Sequence, residues 1–334
     1  MAHKFIKWGI LAPGKIARKF ATELAELENG ELFAVGSTSL LRAEEFATTF
    51  GAKRYYDSYE ALVADPEVDI VYIASPHAFH AEHTLLCLNH QKPVLCEKAL
   101  GLSLTEVVKM VETARKNNLF FMEAMMVPHQ PSYQQAKRII ESGELGKINY
   151  IQSWYGFNKS PYDPLGRLMN PALGGGALLD IGLYPLFDIQ YFLGEPHRLT
   201  ATAEFAPTGV DQSISVRLEY PHGITASVFA SFVTSAGLGT DIFCEFGTIR
   251  LRRLSSLDQW MEVETPQAGV NRYTYKEGEC GLKLEALEAM RCLESNRTES
   301  DQMPLQASIS LMKTLDQIRK LTGINYQGRD KSNL

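Results

Sequence analysis

The sequence is poor in cysteine, in basic charge and in long apolar runs, and each shortage removes a class of protein. Five cysteines occur in 334 residues, Cys87, Cys96, Cys244, Cys280 and Cys292. They are odd in number and form no C-x-x-C pair, which argues against a disulfide framework and for reduced thiols in a cytosol. Lys and Arg total 33 against 39 Asp and Glu, a net charge of −6. Nucleic-acid binders usually carry a basic face or stripe. The longest basic run here is RLRR, Arg250–Arg253, which reads as a solvated strand end. No uninterrupted apolar run approaches the roughly 18 residues of a membrane span. The first residues lead straight into KFIKWGIL without a secretory-type apolar core. The expectation is a cytoplasmic protein that engages neither nucleic acid nor membrane.

What is present is an ordinary globular composition, 45% hydrophobic and 22% charged, in a chain long enough for about two domains. The first third alternates two periods. FIKWGIL, ELFAVGS, DIVYIAS, KPVLCE and LFFMEA read as strands. KIARKFATELAEL, LRAEEFATTF, HAEHTLLCLNH and SLTEVVKMVETARKN have helical spacing, the last with Ser103 and Glu106 at capping-box distance. Strand, helix, strand repeated implies a parallel sheet with crossover helices. After about Ala124 a helix, PSYQQAKRIIESGEL, leads into alternating strands. Ile214, Val216 and Leu218 share one face, as do Ile224, Ala226, Val228, Ala230 and Phe232; TDIFCEF and TIRLRRL continue at hairpin spacing. The fold class expected is α/β: a doubly wound Rossmann domain over residues 1–124, then an α+β domain with a large, mainly antiparallel open sheet over 125–334. A final helix, 305–322, is a candidate to pack back on the first domain.

The first strand ends in GILAPGKIA. A dinucleotide loop wants small residues at fixed offsets, here Ala12, Gly14 and Ala17, so that the backbone can approach a pyrophosphate at the helix N-terminus. Lys15 and Ile16 open that helix and join Ala12 and Gly14 as expected cofactor contacts. A plain tight turn is the bland alternative. NAD sites normally place an acid after the second strand. This chain has GSTSLLRA instead, with Ser37, Thr38, Ser39 and Arg42. Hydroxyls and a guanidinium suit a 2′-phosphate, so NADP is expected, with NAD the alternative; otherwise Ser39 simply caps a helix and Arg42 is solvated.

Ligands of such sheets lie outside the carboxyl ends of the strands. ASPHAFH supplies Ser75, His77 and His80 there, and VLCEKAL supplies Glu97 and Lys98. Charged residues are rarely buried at a strand end unless they are used or paired. A partly desolvated lysine can have its pKa lowered from about 10.4 toward 7–8, and so accept a proton as hydride leaves a substrate carbon. His77 and His80 either contact the nicotinamide ribose or cap the next helix. With His83 they fall at three-residue steps, but no carboxylate or cysteine completes a metal set, and none is expected. GGGALLD lacks the Lys-Ser/Thr of a P-loop and reads as a flexible loop over the site.

VLCEKAL, MEAMM and DPLGRLMNPALGGGALLDIGLYPL together resemble the glucose–fructose oxidoreductase/inositol dehydrogenase (Gfo/Idh/MocA) family. They are most similar to the branch holding dimeric dihydrodiol dehydrogenases and NADP-dependent D-xylose 1-dehydrogenases. The resemblance implies that Lys98 is catalytic, with Asp180 and Tyr184 as partners. Four-residue spacing lets the last two project from one face, although Tyr184 as a core residue and Asp180 as an N-cap fit the spacing equally. Arg167 and Asn158 are further candidates for substrate contact, and Glu97 for orienting Lys98 or the cofactor. Ala99 replaces a usual proline that in relatives helps fix the turn aiming the lysine. On the substrate side, MMVPHQP lacks a Trp and an Arg found in many relatives, and Asn158 stands where arginine is frequent.

The expected activity is an NAD(P)-dependent dehydrogenase acting on a secondary alcohol of a sugar or cyclic diol, with a small-molecule substrate. The open sheet is expected to serve a homodimer or higher oligomer. A catalytically silent NADP sensor, or a reductase of C=C or C=N bonds on the same fold, are the alternatives.

Overall fold

The computed structural model describes residues 5–253, 259–276 and 279–326. Leu254, the last residue of the expected strand TIRLRRL, lies outside them. Two compact units emerge: the described residues to Met126 with Leu282–Ile309, and Val127–Gly281 with Ser310 onward.

The first unit holds six strands: β1 (Ile6–Leu11), β2 (Gly30–Gly36), β3 (Arg54–Tyr56), β4 (Ile70–Ile73), β5 (Val94–Glu97) and β6 (Phe121–Ala124). They pair in the parallel order β3-β2-β1-β4-β5-β6. The order reverses between β1 and β4, the switch point at which doubly wound sheets bind ligands. The helices are α1 (Lys15–Leu24), α2 (Leu40–Phe50), α3 (Tyr59–Ala64), α4 (His80–Asn89) and α5 (Leu104–Lys116). Their buried faces follow from spacing: Ala17, Phe20, Ala21 and Leu24 on α1, and Val107, Met110, Val111 and Ala114 on α5. Phe20 stacks on Tyr72 at 3.8 Å between ring centroids and meets Trp8 edge-on at 5.2 Å, tying α1 to β4 and β1. Ser103 caps α5 by accepting from the Glu106 N–H at 3.3 Å. The Glu106 carboxylate returns to the Leu102 N–H at 2.8 Å, one residue earlier than a capping box requires.

In the second unit α6 (Pro131–Ser142) precedes β7 (Ile148–Gly156) and α7 (Leu183–Leu193). Then come β8 (Arg198–Phe205), β9 (Asp211–Glu219), β10 (Thr225–Ser231), β11 (Gly237–Cys244), β12 (Thr248–Arg253), β13 (Gln259–Thr265) and β14 (Gly269–Tyr275). The eight strands run β14-β13-β12-β11-β7-β10-β9-β8, antiparallel except for β7 with β10. The predicted apolar rows meet in register: Ile214 faces Ala230, Val216 faces Val228 and Leu218 faces Ala226, all buried. Helix α7 packs on β7 and β10. The stretch Pro171–Leu193 is long and apolar enough to cross a membrane by length and composition. With 83% of its window buried inside the protein it has the surroundings of a core helix. Two last helices are α8 (Lys283–Glu294), which packs on α1, and α9 (Leu305–Thr322).

On the far face of the second sheet, Arg252 lies 4.7 Å from the Trp154 ring centroid and 5.6 Å from that of Trp260, and Arg272 lies 4.3 Å from Trp260. All the ring and guanidinium groups of this ladder retain solvent exposure. RLRR is therefore only partly a solvated strand end: Arg253, whose side chain points to the other face, is buried.

Candidate active site

In the first unit the expected cofactor residues gather at the carboxyl edge of β1, β4 and β5 and at the end of β2. Ala12 adopts a left-handed φ of +66°, a conformation glycine takes more readily, and its N–H donates to Gly36 O at 3.0 Å. Gly14 is different. Its φ is −95°, and an added Cβ would meet nothing closer than Ala12 O at 3.9 Å. Neither backbone strain nor the protein's own packing demands glycine there. Helix α1 begins at Lys15 with no side-chain cap and no acid in its first turn, whereas α2, α3 and α5 are each capped by serine. An uncapped helix N-terminus beside a cradle that a side chain would fill suits a pyrophosphate, and the residues present fit a dinucleotide.

At the end of β2, Ser37 is buried and accepts from the Ser39 N–H at 3.2 Å. Ser39 caps α2 by accepting from the Arg42 N–H at 3.5 Å, and Arg42 Nη2 donates to Thr38 Oγ1 at 3.0 Å. Capping and a phosphate-facing role are thus not exclusive, since Arg42 is exposed.

Lys98 follows β5 directly and is half-buried. Its N–H donates to Glu97 Oε2 at 3.3 Å, and Glu97 Oε1 accepts a short hydrogen bond from the Tyr72 hydroxyl. Here is why an acid ends a core strand: a tyrosine from the next strand receives it. The Lys98–Ala99 peptide is cis. On one side of it His80 sits fully buried, Nδ1 at 2.7 Å from Ala99 O and Nε2 at 2.7 Å from Ser75 O. Burial lowers its pKa to about 4, so the neutral ring donates to one carbonyl at a time. His80 thereby staples the loop after β4 to the one after β5. His77 packs edge-on against His80 at 5.7 Å, and His83 Nδ1 lies 2.9 Å from Ser75 Oγ. On the other side Glu123, from β6, accepts from the Leu100 N–H at 3.2 Å; burial pushes its pKa up to about 7. Glu285, on α8, is fully buried, and neither of its carboxylate oxygens has a hydrogen-bond partner among the described residues. Burial first, then the nearby Glu97 and Glu23 charges, raise its pKa well above the carboxylate range.

In the second unit Asp180 lies in a wider, π-helical turn, Leu178–Gly182, that runs into α7. It is buried, and Arg167 Nη1 donates to its Oδ1 at 2.6 Å. Asp211 anchors the turn by accepting from the Leu178 N–H at 2.5 Å. Burial pushes Asp211 up to about 7. Gly176, at φ +127°, is needed here, because a Cβ would collide with Asp211 Oδ1. Tyr184 is half-buried, 6.0 Å from Tyr155 between ring centroids. Asn158 is exposed, and the contact available for it is its carbonyl, which accepts from the Ser160 N–H. Sequence reasoning missed Tyr72, Glu123, Asp211, Asp188, Arg253 and Glu285. Tyr72, Glu123, Asp188 and Glu285 had a visible signal, a polar or charged residue inside an apolar strand or helix face; Asp211 and Arg253 lacked one.

Residues 6–125 match the family model described as "Oxidoreductase family, NAD-binding Rossmann fold", and residues 133–250 match the GFO/IDH/MocA C-terminal domain. The chain belongs to the GFO/IDH/MocA oxidoreductase family. It is 33% identical over 335 residues to trans-1,2-dihydrobenzene-1,2-diol dehydrogenase of Mus musculus, spanning 96% of this chain and 98% of that one. Among solved structures, a 3-ketoreductase from Actinomadura kijaniata in complex with NADP and TDP-benzene shares the fold. Its TM-score is 0.85 at 23% identity, over 95% of this chain and 98% of that one. A levoglucosan dehydrogenase in complex with NADH and levoglucosan does likewise. Its TM-score is 0.86 at 19% identity, over 95% of this chain and 97% of that one. As a GFO/IDH/MocA member the chain is a nicotinamide-dependent dehydrogenase, with the Rossmann sheet and open antiparallel sheet expected of that family.

Proposed function

We propose that this GFO/IDH/MocA dehydrogenase prefers NADP and oxidises a secondary alcohol of a sugar or cyclic diol, or reduces the matching ketone, with Lys98 as general base. The observation that carries the reading is Lys98 itself. It leaves β5 at the carboxyl edge that also holds the Gly14 loop, and His80, Glu97 and Glu123 fix the backbone around it. Bound at that edge, the nicotinamide supplies hydride transfer at the substrate carbon. Lys98 is the base for the hydroxyl proton of the same carbon, so the alcohol loses one hydride and one proton, and Tyr184 is a hydroxyl relay. Asp180, paired with Arg167, orients the substrate hydroxyls. Ser37, Thr38, Ser39 and Arg42 take the 2′-phosphate; Ser75 and His77 line the ribose side, and His80 sets their backbone. The relatives named for diol, ketone and anhydrosugar substrates support the substrate class.

The Trp154, Arg252, Trp260 and Arg272 ladder supports a homodimer through the open sheet, since exposed aromatic and arginine side chains are those enriched at interfaces. A cytoplasmic location is proposed from the free cysteines.

The test is turnover of purified protein with NADP and NAD on a panel of pyranoses and cyclic diols. Lys98→Met should lower kcat about 10² to 10⁴-fold, as removal of a proton acceptor does, and abolish the acidic limb of the pH profile. Wild-type turnover by Lys98→Met would defeat the assignment. Sedimentation of Arg252→Glu against wild type tests the dimer.

A further inference from the structure

Tyr184 stands between two ion pairs on one helical face. Toward the N-terminus, Asp180 meets the exposed Arg167. Four residues beyond Tyr184, Asp188 is fully buried and meets Arg253, which leaves the end of β12 with only 6% of its surface exposed. Asp188 is heavily provided for. Its Oδ2 accepts from Thr240 Oγ1 at 2.7 Å, Tyr133 Oη at 2.9 Å and Ser153 Oγ at 3.2 Å, with Arg253 Nη2 at 3.4 Å from both carboxylate oxygens. Arg253 is not. Its Nε and Nη1 are buried without an acceptor among the described residues, although buried donors are normally bonded. The guanidinium carbon lies 5.2 Å from the Tyr133 ring centroid and 5.3 Å from that of Tyr184. It is a desolvated cation held against two phenol rings.

A structural account of this cluster needs only the Asp188 end. Replacing Arg253 and Asp188 together by apolar groups would remove both buried charges but leave the Tyr133, Ser153 and Thr240 hydroxyls without this acceptor. What the cation does beyond pairing is act on its other neighbours. A guanidinium over a ring face attracts it, and in a desolvated setting it also stabilises negative charge on the phenol oxygen. Tyr133 cannot use that effect, because its hydroxyl donates to Asp188 and burial raises its pKa further. Tyr184 is half-buried and is the phenol that reaches solvent.

We propose that Arg253, clamped by Asp188, is a positioning residue for Tyr184 that fixes its ring and favours negative charge on its oxygen. The catalytic value of this effect rests on the proton-relay role given to Tyr184 above; the effect on the phenol does not. Loss of the Tyr184 proton leaves a phenolate facing the Arg253 cation, and its return restores the neutral phenol beside that cation, so no other group changes charge. The charged and titratable groups around the pair are Asp188 on α7, Tyr133 on α6 and Tyr155 on β7, with Asp180 and Arg167 on the N-terminal side.

The test reads Tyr184 directly. Tyrosine labelled with ¹³C at Cζ is titrated by NMR, and the Tyr184 signal is assigned by its absence in Tyr184→Phe. Asp188→Asn, which leaves the cation unbalanced, should move the Tyr184 titration to lower pH. The charge-balanced double variant Asp188→Asn/Arg253→Met should move it to higher pH, by about one unit, a tenfold change in acidity. Arg253→Lys should stay near wild type. Opposite movements are the signature, since a merely structural role would leave the titration in place or move both variants together. Either of those results overturns the proposal. If the double variant does not fold, Asp188→Asn decides: a Tyr184 titration unmoved or moved upward rejects it. Kinetics separate the two readings. A Tyr184→Phe enzyme with wild-type turnover would remove the relay while leaving the NMR result to stand or fall alone.

Discussion

Arg167 Nη1 donates to Asp180 Oδ1 across 2.6 Å, pairing an exposed cation with a carboxylate that is itself buried. In the proposed reading the arginine acts on the substrate through Asp180. Arg167→Met should therefore lower kcat/KM by roughly 10-fold, the modest loss of a partly exposed pair. Arg167→Lys should recover most of it, and Asp180→Asn should cost more than either. Steady-state kinetics on one accepted substrate measure this; an Arg167→Met enzyme with unchanged kcat/KM would show that the pair does not orient anything.

In the proposed reading Arg42 carries the coenzyme preference. Arg42→Ala removes the guanidinium next to Thr38 and leaves the Ser39 cap on α2 intact, because that bond uses the backbone N–H. Its Kd for NADP should rise about 10-fold or more, the value of a charge-assisted bond, with Kd for NAD nearly unchanged. Equal effects on both coenzymes would contradict a 2′-phosphate role.

His80 is the staple behind Lys98. His80→Ala removes both bridges, to Ser75 O and Ala99 O, and leaves the Lys98 side chain chemically intact. kcat should fall about 10-fold or more while coenzyme affinity changes little, since the two His80 ring bonds go to Ser75 O and Ala99 O and not to the Gly14 loop. Stopped-flow and binding measurements separate the two. A large loss of coenzyme affinity with unchanged kcat would reverse the assignment and make His80 a cofactor ligand.

Buried acids set a pH slope on stability. Burial pushes Glu123 and Asp211 up to about 7 in the folded protein, against about 4.3 and 3.9 for unfolded Glu and Asp. Between those values the folded state keeps protons that the unfolded state has released, so stability falls as pH rises from about 4 to 7. Glu123→Gln and Asp211→Asn should each flatten that slope, by an amount on the order of 4 kcal/mol at most. Glu285, raised in the same direction and unbonded, adds to it. Glu285→Met should stabilise the protein at pH 7 by about 1–3 kcal/mol. Denaturant midpoints from pH 4.5 to 7.5 check all three; a slope unchanged in every variant would place the titrating groups elsewhere.

The doubly wound sheet was legible because buried parallel strands read as continuous apolar runs and their helices as 3.6-residue spacing. Short elements were not: β3 and α3, from Arg54 to Ala64, are too brief for either period to register. Asp180 and Tyr184 were found by spacing and resemblance, yet the π-helical turn between them could not be read, since it changes the turn without changing the residue types. Arg253 was misread for a plainer reason. In RLRR alternate residues face opposite sides of the sheet, so Arg250 and Arg252 belong to one face and Arg253 to the other. Its partner, Asp188, lies 65 positions away. Long-range ion pairs leave no mark on local composition.

Gly14 has one more implication. Because its missing side chain is required neither by φ nor by any neighbour, the empty polypeptide is blind to a methyl group there. Gly14→Ala should melt at the wild-type temperature when alone and lose the upward shift that wild type gains when NADP is added. Such a variant would divide in one substitution what the chain needs in order to fold from what it needs in order to work.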